Sequence, residues 1–153
     1  MQIEITNTQD RFQIDEGALR RYAHWIMERV QHLRRSFHWT ELSIVLIDDS
    51  IRTLNQEWFG KNCVTDVISF AYPDSGNRTG DTGEVILNVV QAWEEGRLRT
   101  SPDHELAFYL AHGCHHLTGA EDNTPERKRA MLRLESAWVK KAVAQNLVGP
   151  FFQ

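Results

Sequence analysis

The stretch from Ser101 to Asp122 restricts the possible folds more than any other in this chain. Ser101 followed by Pro102 is a helix cap with proline in the first turn, and Leu106, Leu110, Cys114 and Leu117 then recur at three- and four-residue spacing. At 100° per residue these four side chains fall within about 80° of one another, so they form one apolar stripe that must face a core. His112 and His116 leave the helix on a different side, one turn apart, beside Glu105 and Tyr109. Two imidazoles at this spacing suit a single metal ion; the plainer reading is two partly buried histidines. Gly119 predicts a left-handed stop that lets Asp122 turn back toward the pair as a third ligand, with Glu121 and a rotated His115 as alternatives. Zinc, or another divalent metal, is the expected ion, held by His112, His116 and Asp122 in a tetrahedral site with one position open. A zinc peptidase of the H-E-x-x-H type carries its general base directly after the first histidine. Gly113 stands there, which disfavours ordinary zincin proteolysis.

The remaining patterns predict short strands interspersed with helices. Residues 2–6, 41–47, 64–70 and 83–89 read as strands. A helix capped by Asp15 runs to about Arg35, the pair Asp48 and Asp49 opens a short helix closed by Gly60, and a further helix spans roughly residues 90–96. Residues 74–81 have the composition of a hairpin-like loop, and Thr124-Pro125-Glu126 starts the last helix. Phe151 and Phe152 are either a docked tail or an exposed apolar end. The expectation is an α+β fold: a single compact domain over residues 1–153, with a small mixed four-stranded sheet packed by about five helices.

A length of 153 residues with 41% hydrophobic content suffices for one core. The net charge of -4 excludes a global basic field, so any contact with nucleic acid must be local. Cys63 and Cys114 stand in no metal or redox motif, the opening residues lack a signal-peptide pattern, and no apolar run reaches the ~20 residues of a membrane span. A cytoplasmic protein with no membrane partner, in monomeric form, is expected.

His112, Gly113, His116, Leu117 and Gly119 match the motif H-G-x-L-H-L-x-G-Y-D-H, and this segment resembles the YbeY family of single-strand-specific metal-dependent endoribonucleases. His115, Ala120 and Asp122 depart from it, the last replacing a third histidine ligand. A second stretch, residues 54–70, resembles the family's L-N-x-x-Y-R-x-K-D-x-P-T-D-V-L-S-F, with Leu54, Asn55, Lys61, Thr65, Asp66, Val67, Ser69 and Phe70 matching. Gly83-Glu84-Val85-Ile86 is similar to a family strand, and Met131 with Glu135 to its last helix.

The resemblance implies a zinc-dependent endoribonuclease acting on single-stranded ribosomal RNA, in small-subunit RNA 3′-end maturation and ribosome quality control. It implies catalytic roles for His112, His116 and Asp122, and RNA contacts at Lys61, Thr65, Asp66 and Ser69. The ribosome or its proteins and a ribosome-assembly GTPase are the implied partners. Thr65 and Asp66 also have a simpler reading as turn chemistry leading into a strand. Phe59 occupies the place of a family arginine that can fork onto a phosphate, so it reads as a core or rim aromatic or as a base-stacking platform. Two alternatives follow: a ribosome-associated metal-binding module with weak or no cleavage, and a metal hydrolase with another substrate.

Overall fold

The computed structural model describes residues 1–76 and 80–153. Of the loop expected over residues 74–81, residues 77–79 lie outside the described part. In chain order the elements are β1 (Gln2–Asn7), α1 (Glu16–Leu33), β2 (Trp39–Ile47), α2 (Ile51–Phe59), β3 (Val67–Tyr72), β4 (Asp81–Asn88), α3 (Val89–Leu98), α4 (Pro102–His116) and α5 (Pro125–Ala144). The sheet order is β1-β2-β4-β3. β1 and β4 run parallel to β2, and β3 runs antiparallel to β4 at one edge. This is the α+β architecture with a mixed four-stranded sheet and five helices that the sequence predicts.

Alternation along the strands divides the sheet into two faces. Leu42, Ile44, Leu46, Val85 and Leu87 enter the main core with Leu19, Tyr22, Ile26 and Val30 of α1 and Leu106, Leu110 and Cys114 of α4. Ile68 and Ile86 point the other way and form a small second cluster with Ile51 of α2. α4 packs against α1, α3, α5, β3 and β4, so it is central rather than half-exposed. Its stripe is buried as expected, but Glu105 and Tyr109, which the sequence places beside the histidines away from the stripe, are buried too. Small residues explain this: Ala107, Ala111 and Gly113 let neighbouring elements close on the remaining faces. Glu105 is compensated by Arg99 at 2.7 Å. Burial pushes the Cys114 thiol well up, as suits a residue that fills the core.

Local chemistry corrects two boundaries. β3 begins at Val67, three positions later than its apolar run suggests, because the Val67 amide donates to Asp66 Oδ1 at 2.8 Å instead of entering a strand ladder earlier. α2 is not opened by a carboxylate cap: Ser50 is its N-cap without a side-chain bond. Asp48 instead accepts from the Ser50 amide at 2.9 Å, and its hydrogen bonds to Ser50 lower its pKa. The other caps behave as read, with Asp15, Ser101 and Thr124 each accepting a first-turn amide and Gly60 left-handed at φ 66°. The C-terminal tail is docked. Phe151 is fully buried near Tyr22, and the amides of Phe151 and Phe152 donate to Asp103 Oδ1 at 2.8 and 3.0 Å.

Candidate metal centre

His112 and His116 project from the last turns of α4 into a cleft beside β3, and their Nε2 atoms approach to 3.1 Å. Asp122 Oδ2 stands 3.5 Å from His112 Nε2 and 3.7 Å from His116 Nε2. The return of the chain depends on Gly119, which takes φ 88° directly after the helix, a conformation that penalises any Cβ. Arg34, the C-cap of α1, fixes this turn by donating to the carbonyl of Thr118.

The other nitrogen of each ring is already engaged. His112 Nδ1 lies 2.9 Å from Glu135 Oε1, and His116 Nδ1 lies 2.8 Å from the Ala120 carbonyl. A carboxylate and a carbonyl only accept, so each Nδ1 carries the proton and each Nε2 presents a lone pair. Two lone pairs facing at 3.1 Å, with a carboxylate beside them, repel unless a proton or a metal cation lies between. Ligands about 2.0–2.1 Å from a tetrahedral zinc are roughly 3.3 Å apart, and the three separations bracket that value. The donor set and its spacing therefore fit a metal ion such as zinc. Among the described residues, these three form the one histidine, cysteine and carboxylate group of this kind.

Both alternative ligands are drawn elsewhere. His115, expected to approach the ion by a ring rotation, turns into the protein, where Nδ1 meets Glu135 Oε2 at 2.6 Å and the ring meets Trp138. Glu121 binds Arg127 at 3.1 Å on the exposed side of the loop.

Glu135, from α5, is the residue that reading the sequence for ligands passes over. It is fully buried, with each oxygen taking one imidazole. Burial alone raises its pKa, but the hydrogen bonds and fields of His112 and His115 outweigh that and hold it below the ordinary carboxylate value. Burial likewise works against protonating His112, yet the Glu135 hydrogen bond and the charges of Glu135, Asp66 and Asp122 leave its pKa raised. A carboxylate behind a ligand imidazole fixes its tautomer and orientation. Glu135→Gln is therefore expected to weaken zinc binding by about 10- to 100-fold, read by competition with a chromophoric chelator. An unchanged affinity reduces Glu135 to a packing role.

Lys61, Thr65, Asp66 and Ser69 line the same cleft as the cluster, in a volume of about 590 Å³. Within it their individual bonding differs. Thr65 Oγ1 and the Val67 amide both donate to Asp66 Oδ1, and buried Asn88 donates through Nδ2 to the Thr65 carbonyl at 3.2 Å, so the turn chemistry is present as well. Ser69 Oγ donates to the Gly113 carbonyl at 2.8 Å, tying β3 to the helix between the two histidines. Phe59 is on the rim rather than in the core, about half exposed at 51%. Lys61 is the one cation among the described residues lining this cleft, against the carboxylates of Asp66, Glu121 and Asp122.

Gly113 has a packing reason of its own. A Cβ there would lie 2.6 Å from Val85 Cγ1, 2.8 Å from Val67 Cγ2 and 3.1 Å from Ser69 Oγ. The missing side chain lets α4 settle onto β3 and β4, which sets the depth of the histidine pair in the cleft.

Fold and site together define an α+β protein with a metal-competent His-His-Asp cluster at the end of its central helix, in a cleft bordered by its edge strand. The chain belongs to the YbeY family, whose model, described as Endoribonuclease YbeY, matches residues 4–143. An Endoribonuclease YbeY of Anaeromyxobacter sp. is 39% identical over 111 residues, which are 71% of this chain and 56% of that protein; the chain thus spans little more than half of its length. One of Acetivibrio thermocellus is 31% identical over 156 residues, covering 92% of this chain and 96% of that protein. A solution structure of a Thermotoga maritima protein shares the fold with a TM-score of 0.61 at 19% identity, over 97% of this chain and 93% of the other. Among the described residues, no helix is long and apolar enough to cross a membrane.

Proposed function

We propose that this chain is a zinc-dependent endoribonuclease acting on unpaired ribosomal RNA, in maturation of the small-subunit RNA near its 3′ end and in ribosome quality control. The observation that carries the reading is the convergence of His112 Nε2, His116 Nε2 and Asp122 in one cleft, in a chain of this family. In this reading His112, His116 and Asp122 hold the ion. Bound zinc supplies Lewis acidity toward a phosphate oxygen and acidifies water. The chain's own residues do the rest. Glu135 and the Ala120 carbonyl keep both Nδ1 atoms protonated and both Nε2 atoms available. Lys61 places a point charge for a phosphate at the cleft wall, Thr65 and Asp66 border the path of the strand, and Ser69 holds the helix to β3. Family resemblance adds the ribosome or its proteins and a ribosome-assembly GTPase as partners, in the cytoplasm.

Asp122 in place of a neutral ligand leaves the loaded site at net charge +1, and Phe59 removes a forked phosphate donor. Both weaken stabilisation of charge developing on phosphate, so cleavage is expected to be slow. Phe59→Arg should raise the single-turnover rate at saturating RNA more than it tightens binding. The assay uses zinc-loaded protein, a labelled unpaired RNA and the matching duplex. Cutting of the unpaired strand with the duplex spared is the expected result. The cleft's single lysine favours a second reading, a ribosome-associated metal-binding module with little or no cleavage. Intact RNA in the presence of every metal-loaded variant selects that module.

A further inference from the structure

The three exposed aromatic residues among those described are Trp58, Phe59 and Tyr72, with 65%, 51% and 45% of their surface accessible, and they surround one half-buried ring, Phe70. Two short-range placements bring them together. Trp58 and Phe59 are the last residues of α2, while Phe70 and Tyr72 stand two apart on one face of edge strand β3. Phe70 is parallel to Phe59, at 6.1 Å between centroids and 11° between planes, and lies edge-on to Trp58 at 5.4 Å. Tyr72 continues the row at 6.5 Å from Phe70. Core formation accounts for Phe70, which packs on the cluster of Ile51, Ile68 and Ile86. It does not account for the exposed faces of Trp58 and Phe59, which lose water only to an occupant.

We infer that these rings are a stacking platform for the unpaired bases next to the phosphate held in the metal cleft. This rests on the endoribonuclease reading above and adds how the RNA is gripped. Continuity selects the occupant: Phe59 is at once a wall of the cleft that contains His112, His116 and Asp122 and the first ring of the row. Charge leaves room for such contacts to matter. Single-stranded RNA is ordinarily held through its phosphates, but Lys61 is the one side-chain cation among the described residues lining this cleft, and an ion held by His112, His116 and Asp122 serves only the phosphate at the site. Phosphate contacts are therefore few, and each neighbouring base still offers an aromatic face. Paired bases are already stacked inside a helix, so the platform also selects for unpaired RNA.

The test is single-turnover cleavage at increasing concentrations of zinc-loaded enzyme, with anisotropy measurements of binding alongside. The substrates are an unpaired RNA oligomer and the same oligomer with abasic sites flanking the cut. Phe59→Leu, Trp58→Leu and Tyr72→Leu keep apolar bulk but remove the ring, and Phe59→Trp keeps a ring. For wild type the abasic oligomer should bind about tenfold or more weakly. Phe59→Leu should bind the intact oligomer about as weakly, raising the half-saturating concentration more than it lowers the maximal rate, and Phe59→Trp should restore binding. Binding to the intact oligomer should also fall little with salt, with a logarithmic slope near that of one or two phosphate contacts, at about 0.7 each. If wild type cleaves both oligomers with equal half-saturation and the leucine variants change nothing, the platform is wrong while the nuclease reading stands. The aromatic face then belongs to a protein partner. If wild type neither binds nor cleaves unpaired RNA, both readings fall.

Discussion

Replacing His112 and His116 together by alanine is expected to remove stoichiometric metal and to reduce cleavage of unpaired RNA by on the order of a thousandfold or more, since the loss of even one stabilising group at a developing charge costs 10²–10³. The two substitutions are not equivalent in what else they disturb. His116 is partly exposed and bonds only a loop carbonyl through Nδ1, so His116→Ala should leave the fold near wild-type stability. His112 shares fully buried Glu135 with His115, and its removal takes one of two partners from a buried carboxylate. An unmet buried acceptor costs about 1–3 kcal/mol, more when charged, so His112→Ala should also lower the melting temperature. Elemental analysis and thermal unfolding of both single variants and the double variant separate metal loss from destabilisation. Chelation of wild type should lower the melting temperature without abolishing cooperative unfolding, because the core around α4 is independent of the cluster.

Gly113→Ala should cause the largest loss of stability for the smallest change in chemistry. The added methyl meets Val85 and Val67 inside normal contact distance, and Val85 is fully buried on central strand β4, where it has little room to yield. Overpacking of this kind costs about 1–3 kcal/mol, which for a chain of this size is roughly 3–10 °C in melting temperature. The same displacement lifts α4 from β3, strains the Ser69 bond to the Gly113 carbonyl and moves the histidine pair away from Asp66. Metal affinity and cleavage should therefore fall together with stability. A variant with wild-type melting temperature would show that the helix–sheet distance is adjustable and that Gly113 does not set the depth of the site.

What was legible in the sequence follows the range of the physical signal. The histidine pair, the Gly119 turn and Asp122 lie within one continuous stretch, where helical spacing and a single left-handed residue determine which atoms meet. Caps such as Asp15, Ser101 and Thr124 are equally local. Glu135 acts on His112 from 23 positions away, and a carboxylate at that place in an amphipathic helix looks like any other helix residue until α5 docks on α4. The fully buried Asn88 hub, which holds both the Thr65 carbonyl and Asp49, is hidden for the same reason. The late start of β3 was less visible because the Asp66 carboxylate competes for a backbone amide that the apolar run assigns to a strand. One longer-range fact did leave a trace: Ala107, Ala111 and Gly113 mark the faces on which α4 is approached, and the apolar stripe alone understates how central the helix is.

In the proposed function, cleavage depends on a single ion held by His112, His116 and Asp122. The direct measurement strips the wild-type protein with a chelator, returns zinc in substoichiometric steps, and follows both bound metal and single-turnover cleavage of one unpaired RNA at each step. Cleavage should rise in proportion to occupancy and reach its plateau at one ion per chain, with His116→Ala carried through the same titration remaining inactive. Full cleavage by the stripped protein, or a plateau unaffected by loss of His116, would contradict it.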